Sequence, residues 1–521
     1  MTRITQFAAS AALLAASAAP ALAQEAQSLD QRVNAAFATA TGPFVNFIFA
    51  PLPFNIMGQP FPWIVMWLVV GAAVFTAYFA FVQFRFFGHA IALVKGDYSD
   101  PNDAGEVSHF QALATALSGT VGLGNIAGVA VAVGIGGPGA TFWMILAGLL
   151  GMASKFTECT LGVKYRNEYP DGTVSGGPMY YISKGFTELG LPGGKILAVL
   201  FSVFCILGAL GGGNMFQANQ AHAQISGIVG EYPGWITGII FAGVVFAVIV
   251  GGVKSIAAVT EKVVPFMGIL YVGAALIILL VNYDKIGWAF GQIFAGAFTG
   301  LGVAGGFVGA LIQGFKRAAF SNEAGVGSAA IAHSAVKTKE PITEGFVSLL
   351  EPLIDTVVIC TMTALVIVIS QQLIVDPATG NYVLNEAGNA IATLDGNSGV
   401  ALTSAAFGSA IGWFPYVLVI AVVLFAFSTM ISWSYYGLKA WTYLFGEGKT
   451  TELVFKLIFC VFIVIGAAAS LGPVIDFSDA AIFAMAVVNI FCLYFLMKLV
   501  RKELASYSAR LKSGEIKKFV H

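Results

Sequence analysis

Eleven apolar runs, each of spanning length, constrain this chain before anything else does. They fall near 62–87, 110–133, 139–163, 197–224, 236–253, 262–282, 300–334, 347–370, 413–444, 453–471 and 479–499. About 20 residues at ~1.5 Å rise each are needed to cross a hydrocarbon core of ~30 Å. No water is available there, so every backbone N–H and C=O must pair within the chain, and such runs close on themselves as α-helices. Composition excludes the alternative. Charged residues are only 10% of the chain and hydrophobic ones 58%, against roughly 25% charged in soluble proteins, so a water-facing surface cannot be built. The expected fold class is therefore an all-α membrane protein with about 11 transmembrane helices, its transmembrane domain spanning 62–499. The 300–334 run is irregular and holds Lys316 and Arg317.

The ends read separately. Arg3, the apolar run Ala8 to Ala19 and then Ala21-Leu22-Ala23 have the order of a signal peptide over 1–23, cleaved after Ala23. The alternative is an uncleaved helix, although the run is short for a span. Residues 24–61, with an amphipathic stretch near Leu29–Ala40, read as a periplasmic segment on the membrane surface. Basic residues gather at alternate loops: Arg85 and Lys95, Lys164 and Arg166, Lys184 and Lys195, Lys254 and Lys262, Lys337 and Lys339, Lys439, Lys449 and Lys456. The stretch from Gln371 to Gly412 has none, and 500–521 is a basic tail. The positive-inside rule places the tail and the basic loops in the cytoplasm. An outside N-terminus followed by eleven crossings gives the same orientation, in the cytoplasmic (inner) membrane. The five cysteines show no C-x-x-C spacing and read as small buried hydrophobes.

After the first span, ten remain, divisible into 110–282 and 300–499. Each half opens with a helix crowded with glycine and polar residues, the pattern of an inverted-repeat transporter with broken first helices. The first such segment runs from Ser118 to Gly128 and contains Thr120, Gly122, Gly124 and Asn125. Unwound backbone at membrane depth is tolerated where it lines a cavity or is buried in protein. Its carbonyls can hold a hard cation and its amides a carboxylate; close helix packing through small residues is the competing reading. The counterpart is Phe320 to Ser328, with Ser321, Asn322, Glu323 and Gly325. These groups are costly in hydrocarbon, and either a break near Ser321–Gly327 or arrival at the surface would satisfy them.

Two further clusters accompany the breaks. Phe425, Ser428 and Thr429 precede Trp433 and Tyr435, although hydroxyls in membrane helices also bond back to their own turn. Phe216 and Asn219 share one face of the fourth span and serve either a small zwitterion or helix packing. Lys155 and Glu158 read as an i, i+3 pair, and Glu351 and Asp355, at i, i+4, as a proton-handling dyad or an ordinary interfacial pair, a structural role being favoured for both sets. No catalytic triad, metal-binding histidine cluster or phosphate loop is present, so an enzyme is not expected.

Several long motifs occur in order: Gly119-Thr-Val-Gly-Leu-Gly-Asn-Ile-Ala-Gly-Val129, Gly136-Gly-Pro-Gly-Ala-Thr-Phe-Trp-Met144, Gly176-Gly-Pro-Met179, Phe320-Ser-Asn-Glu-Ala-Gly325 and Phe427-Ser-Thr-Met-Ile-Ser-Trp-Ser-Tyr-Tyr-Gly437. Over nearly the whole mature chain, these motifs resemble the alanine/glycine:cation symporters, also called sodium:alanine symporters. The resemblance implies a leucine-transporter-like five-plus-five inverted repeat with one extra N-terminal helix. It implies a co-transported sodium ion held by the carbonyls of Ser118, Val121 and Phe425 and the hydroxyls of Ser428 and Thr429, with Thr120 and Asn125 at a second sodium site. It implies a substrate pocket of Gly122, Gly124, Phe216, Asn219, Thr429 and Trp433, small enough to favour alanine or glycine. The function implied is sodium-coupled import by alternating access. Its rivals are proton-coupled or sodium-independent transport on the same fold, and a channel or receptor without coupled turnover. The partners implied are the small amino acid and membrane lipid, with no nucleic acid. The N-terminal extension and the loop 372–400 exceed what the resemblance requires.

Overall fold

The computed structural model describes residues 29–100, 103–170, 172–299, 306–370 and 399–518. The expected signal peptide and nearly all of the expanded loop lie outside these. The helices used below are α1 Leu29–Ile48, α2 Trp63–Tyr78, α3 His109–Thr120, α4 Val129–Gly136, α5 Gly139–Lys164, α6 Pro178–Glu188, α7 Gly194–Leu210 and α8 Phe216–Val229. They continue with α9 Gly234–Ile249, α10 Gly252–Val281, α11 Tyr283–Thr299, α12 Gly306–Asn322, α13 Ala329–His333 and α14 Pro341–Ser348. The last are α15 Thr361–Ile369, α16 Val400–Ala410, α17 Phe414–Phe445, α18 Lys449–Ala468 and α19 Leu471–Ser513.

Within the described residues, each of the eleven apolar runs holds helix. Among the described residues, seven helices are long and apolar enough to cross a membrane: Gly139–Lys164, Gly194–Val229, Gly252–Val281, Pro341–Ile369, Phe414–Phe445, Lys449–Ala468 and Leu471–Ser513. An eighth is the pair His109–Thr120 and Gly124–Gly136, bent by 50°. The other three runs hold shorter helices. Helices α2 and α9 are apolar but have only 16 residues each. Helix α12 has 17 and carries Lys316 and Arg317. Helix α19 runs unbroken to Ser513, well past the expected end of its span.

Local chemistry sets the helix ends. Proline occupies the first turn of α6, α14 and α17, where its missing N–H costs nothing and its fixed φ suits a helix. Ser108 and Gln111 form a reciprocal capping box at the start of α3, satisfying two orphan donors together. Helix α1 packs on protein: Phe37 meets Phe477 edge-on at 5.3 Å, and Asn34 accepts from the Ser470 hydroxyl at 2.6 Å. This places α1 at the end of the bundle where α19 begins. At the opposite end, Arg510 makes a two-pronged pair with Glu340, at 2.7 and 2.5 Å.

The two broken helices run antiparallel. The start of α3 lies beside the end of α13, joined by the Lys337 N–H to the Val107 carbonyl at 2.8 Å. Hence α3 and α13 are half-helices on one side of their breaks, and α4 and α12 are half-helices on the other. That is the inverted relation read from the two glycine-rich segments.

Candidate functional site

The first break begins where α3 ends at Thr120. Val121 leaves the helix with ψ 85°, and a π turn over Gly124–Gly128 leads into α4. Polar groups released by the unwinding are paired by side chains. The Gly122 N–H donates to Asn125 Oδ1 at 2.8 Å, and the Leu123 N–H to Gln217 Oε1 at 3.1 Å. Thr429 Oγ1 donates to the Ser118 carbonyl at 3.0 Å, and Thr403 Oγ1 to that of Ile126 at 3.0 Å. Gly122 is required here, because a Cβ would lie 2.3 Å from Thr429 Oγ1.

In the second half, α12 stops at Asn322 and the chain turns through left-handed conformations, with φ +56° at Glu323, +84° at Gly325 and +91° at Gly327. A glutamate in that region is strained and held by its surroundings. Its carboxylate accepts from Trp433 Nε1 at 2.9 Å and from the Ser328 hydroxyl. Asn322 caps the turn by accepting from the Ala324 N–H at 3.0 Å and donates to Thr356 Oγ1 at 2.9 Å. Glu323 is only 2% exposed, so it is not a solvated surface charge.

The two breaks meet on Asp355. Asn125 Nδ2 donates to its carboxylate at 2.6 Å, and Ser321 Oγ does so at 2.8 Å. Thr356 Oγ1 adds a third bond at 2.7 Å. The Gly124 backbone approaches closely enough that a Cβ would lie 3.3 Å from the Ser321 Cα. The pairings expected of the buried charges need correction. Asp355 faces the breaks, whereas Glu351 pairs with Lys155 at 3.1 Å and with His333. Glu158 accepts from Asn489 at 2.8 Å, with Lys155 turned toward Glu351. Glu351 lies in a short α turn, Leu350–Pro352, and Asp355 in the π-helical segment Leu353–Cys360 that follows, so the i, i+4 spacing does not bring the two carboxylates to one partner.

The remaining sequence-predicted residues divide. Ser118, Phe425, Ser428 and Thr429 come together: Ser118 Oγ donates to the Ser428 carbonyl at 3.3 Å, and Ser428 Oγ bonds back to the Phe425 carbonyl at 3.0 Å. Ser432 joins them through Ser118 Oγ and the Thr115 carbonyl, the latter at 3.1 Å. Thr120 Oγ1 turns back to the carbonyls of Ala116 and Leu117, at 3.3 and 3.4 Å. The Phe216 ring stands edge-on to Phe320 at 5.1 Å. Asn219 instead binds the carbonyls of Gly466 and Ala469, at 3.2 and 2.6 Å, so its amide tethers the end of α18. Trp433 lies against Gly213, where a Cβ would sit 2.1 Å from the indole Cγ.

Sequence reasoning did not single out Gln217, and it read Asp355 only as a partner of Glu351. Gln217 bridges the first break to Gly212, whose carbonyl accepts from Nε2 at 2.9 Å. Asp355 joins both breaks. Its signal was an acid inside the apolar run 347–370. Toward the α1 end, Asp479 receives Arg317 and, at 3.0 Å, Lys316. The Arg317 guanidinium lies over the Phe320 ring at 5.2 Å.

Paired breaks built from these motifs match a known group. The model of the sodium:alanine symporter family matches residues 51–521. The chain belongs to this family. It is a multi-pass membrane transporter, not an enzyme. The sodium/alanine symporter AgcS of Methanococcus maripaludis is 39% identical over 452 residues, covering 86% of this chain and 95% of AgcS. GlnT of Bacillus subtilis, named a probable sodium/glutamine symporter, is 32% identical over 443 residues, covering 85% of this chain and 87% of GlnT. Among solved structures, MhsT in complex with L-phenylalanine superposes with a TM-score of 0.50 at 16% identity, covering 74% of this chain and 88% of MhsT. That likeness shows the fold, the all-α leucine-transporter-like architecture the motifs implied.

Proposed function

We propose that this chain is a sodium-coupled importer of small amino acids, alanine or glycine, in the cytoplasmic membrane. The observation that carries the reading is the meeting of the two helix breaks on Asp355, through Asn125 and Ser321. A carboxylate ringed by hydroxyl and amide groups suits a hard cation. In this reading one sodium ion sits with the carbonyls of Ser118, Val121 and Phe425 and the hydroxyls of Ser428 and Thr429. A second sits beside Asn125 and Asp355. Both are cargo.

The amino acid lies between the breaks. Its carboxylate faces the Gly122 and Gly124 amides, its side chain faces Phe216 and Trp433, and Gln217 supplies a polar contact. Asn219 supports this pocket from behind through α18. The signal peptide is cleaved, and the face bearing Lys337, Lys339 and the tail is cytoplasmic. Cation and amino acid bind together, the half-helices close over them, and the opposite pair then opens. The membrane potential contributes ~2.3 kcal/mol per charge per 100 mV.

Labelled-alanine uptake into proteoliposomes, with and without an inward sodium gradient, is the test. Accumulation above the external concentration only with the gradient is expected. Uptake that persists with choline in place of sodium overturns sodium coupling. Equilibration without accumulation overturns symport in favour of a channel.

A further inference from the structure

Apart from the groups that join the breaks, five titratable side chains form an unbroken hydrogen-bonded chain inside the membrane domain. His109 Nδ1 meets one oxygen of Glu344, whose other oxygen lies 2.5 Å from His333 Nδ1. His333 Nε2 meets Glu351, and the second oxygen of Glu351 lies 3.1 Å from Lys155 Nζ. All five are buried, His109 at 2% exposure and the others at 0%.

Counting protons decides what this arrangement needs. A carboxylate only accepts, and a neutral imidazole has one N–H and one bare nitrogen. Three imidazole–carboxylate contacts require three protons. The two neutral rings can place only two there, because both nitrogens of His333 face carboxylates. Charge gives the same answer independently. Glu344 and Glu351 carry two negative charges against the single positive charge of Lys155, and an uncompensated charge is costly to bury. One added proton completes the hydrogen bonds and makes the cluster neutral.

We propose that His333, held between Glu344 and Glu351, is a proton-binding site, and that its proton keeps the half-helices on one side of the two breaks closed. His109 opens α3, which leads into the first break, and His333 ends α13, which leads out of the second. Both attach to Glu344 on α14, so the proton makes the three elements one hydrogen-bonded unit. When it leaves to water, a bare ring nitrogen faces a carboxylate and α13 is pushed from its seat.

Other groups near the ring do not replace this proton. From α5, Lys155 is engaged by Glu351, Glu158 accepts from Asn489, and Cys159 lies close to His333 and Glu351. Glu323 lies within electrostatic reach of Lys155, and Tyr436 of α17 within reach of Glu323 and Glu351. Arg166 donates to the carbonyls of Ser334 and Val336 just beyond the ring.

The proton site is tested on the full-length protein in lipid nanodiscs without sodium or amino acid, so that result does not depend on the transport reading, on which only the exchange measurement of the closing role rests. The assigned ¹⁵N resonances of His333 are expected to show both ring nitrogens protonated at neutral pH. The native state gains stability from the bound proton, so the melting temperature falls as pH rises through its release. His333→Gln strands one negative charge and is expected to melt lower. His333→Gln with Glu344→Gln is neutral without a proton, keeps the Glu351–Lys155 pair, and is expected to recover the loss with a flat pH response. In proteoliposomes, alanine exchange by the natural protein is expected to quicken as pH rises on the Lys337 face, and the double variant to show no such rise. A neutral His333 at neutral pH overturns the site, as does a single variant as stable as the natural protein. An unchanged pH response of exchange in the double variant overturns the closing role. If the single variant does not fold, the resonances and the double variant still decide.

Discussion

Trp433 on α17 donates its indole N–H to the Glu323 carboxylate at 2.9 Å, joining the second helix break to a helix outside the broken pair. Ser328 holds the other carboxylate oxygen. The turn at Glu323, with its φ of +56°, is therefore fixed from two directions. A hydrogen bond to a buried charged group contributes about 1.5–3 kcal/mol.

Trp433→Phe removes that donor while retaining an aromatic ring against Gly213. The expected loss is ~2 kcal/mol of stability, together with slower alanine uptake because the break loses one of its two fixings. Thermal melting in detergent and initial uptake rates check both. A variant that melts and transports like the natural protein would show that the bond does not hold the break.

Gly122→Ala tests close approach rather than chemistry. Its Cβ would fall 2.3 Å from Thr429 Oγ1, a hydroxyl already committed to the Ser118 carbonyl. Overpacking of this kind costs about 1–3 kcal/mol. Gly122→Ala with Thr429→Ala removes the clashing oxygen, so stability should return while sodium-dependent uptake stays low. Recovery of uptake in the double variant would remove Thr429 from the proposed sodium site.

The breaks were legible in the sequence because glycine and polar residues are conspicuous in an apolar run. Gly122 and Glu323 fall where the chain leaves its helices, Asn125 in the π turn after the first break and Ser321 in the last turn of α12. Long-range pairing was not legible. Glu351 and Asp355 lie four apart on one chain segment, yet one faces His333 and Lys155 and the other faces Asn125. Four-residue spacing reports a shared face in a regular α-helix, and the chain here passes from a short α turn into the π-helical segment Leu353–Cys360. Asn219 shares a face with Phe216, and its amide is nevertheless taken by the carbonyls of Gly466 and Ala469. Helices α2, α9 and α12 are shorter than the apolar runs that hold them, because hydropathy locates an apolar run without fixing where the helix stops.

Asp355→Asn should separate the cation from the fold. The amide keeps the volume and can still bond Asn125, Ser321 and Thr356, but it removes the charge that would face the ion. The expected result is a rise of about tenfold or more in the sodium concentration for half-maximal uptake, equivalent to ~1.4 kcal/mol. Varying sodium at saturating alanine measures this. An unchanged sodium dependence would place the ion away from Asp355.

Asp479 is the buried anion for two cations, Lys316 and Arg317. Removing one partner of a buried pair costs about 3–5 kcal/mol, because the other charge is left uncompensated. Asp479→Asn should therefore destabilise the protein strongly. Asp479→Asn with Arg317→Gln leaves Lys316, which is partly exposed and lies over the Phe49 ring at 4.2 Å, and should recover most of the loss. The pair joins α12 to α19 at the end of the bundle that carries α1, beside the Phe320–Phe216 contact. If it seals that end, the stable double variant should retain sodium-dependent binding of alanine yet exchange it faster across that face. Melting curves and exchange rates measured on the same preparation separate the two roles: recovered stability with unchanged exchange would make the pair a structural clamp alone.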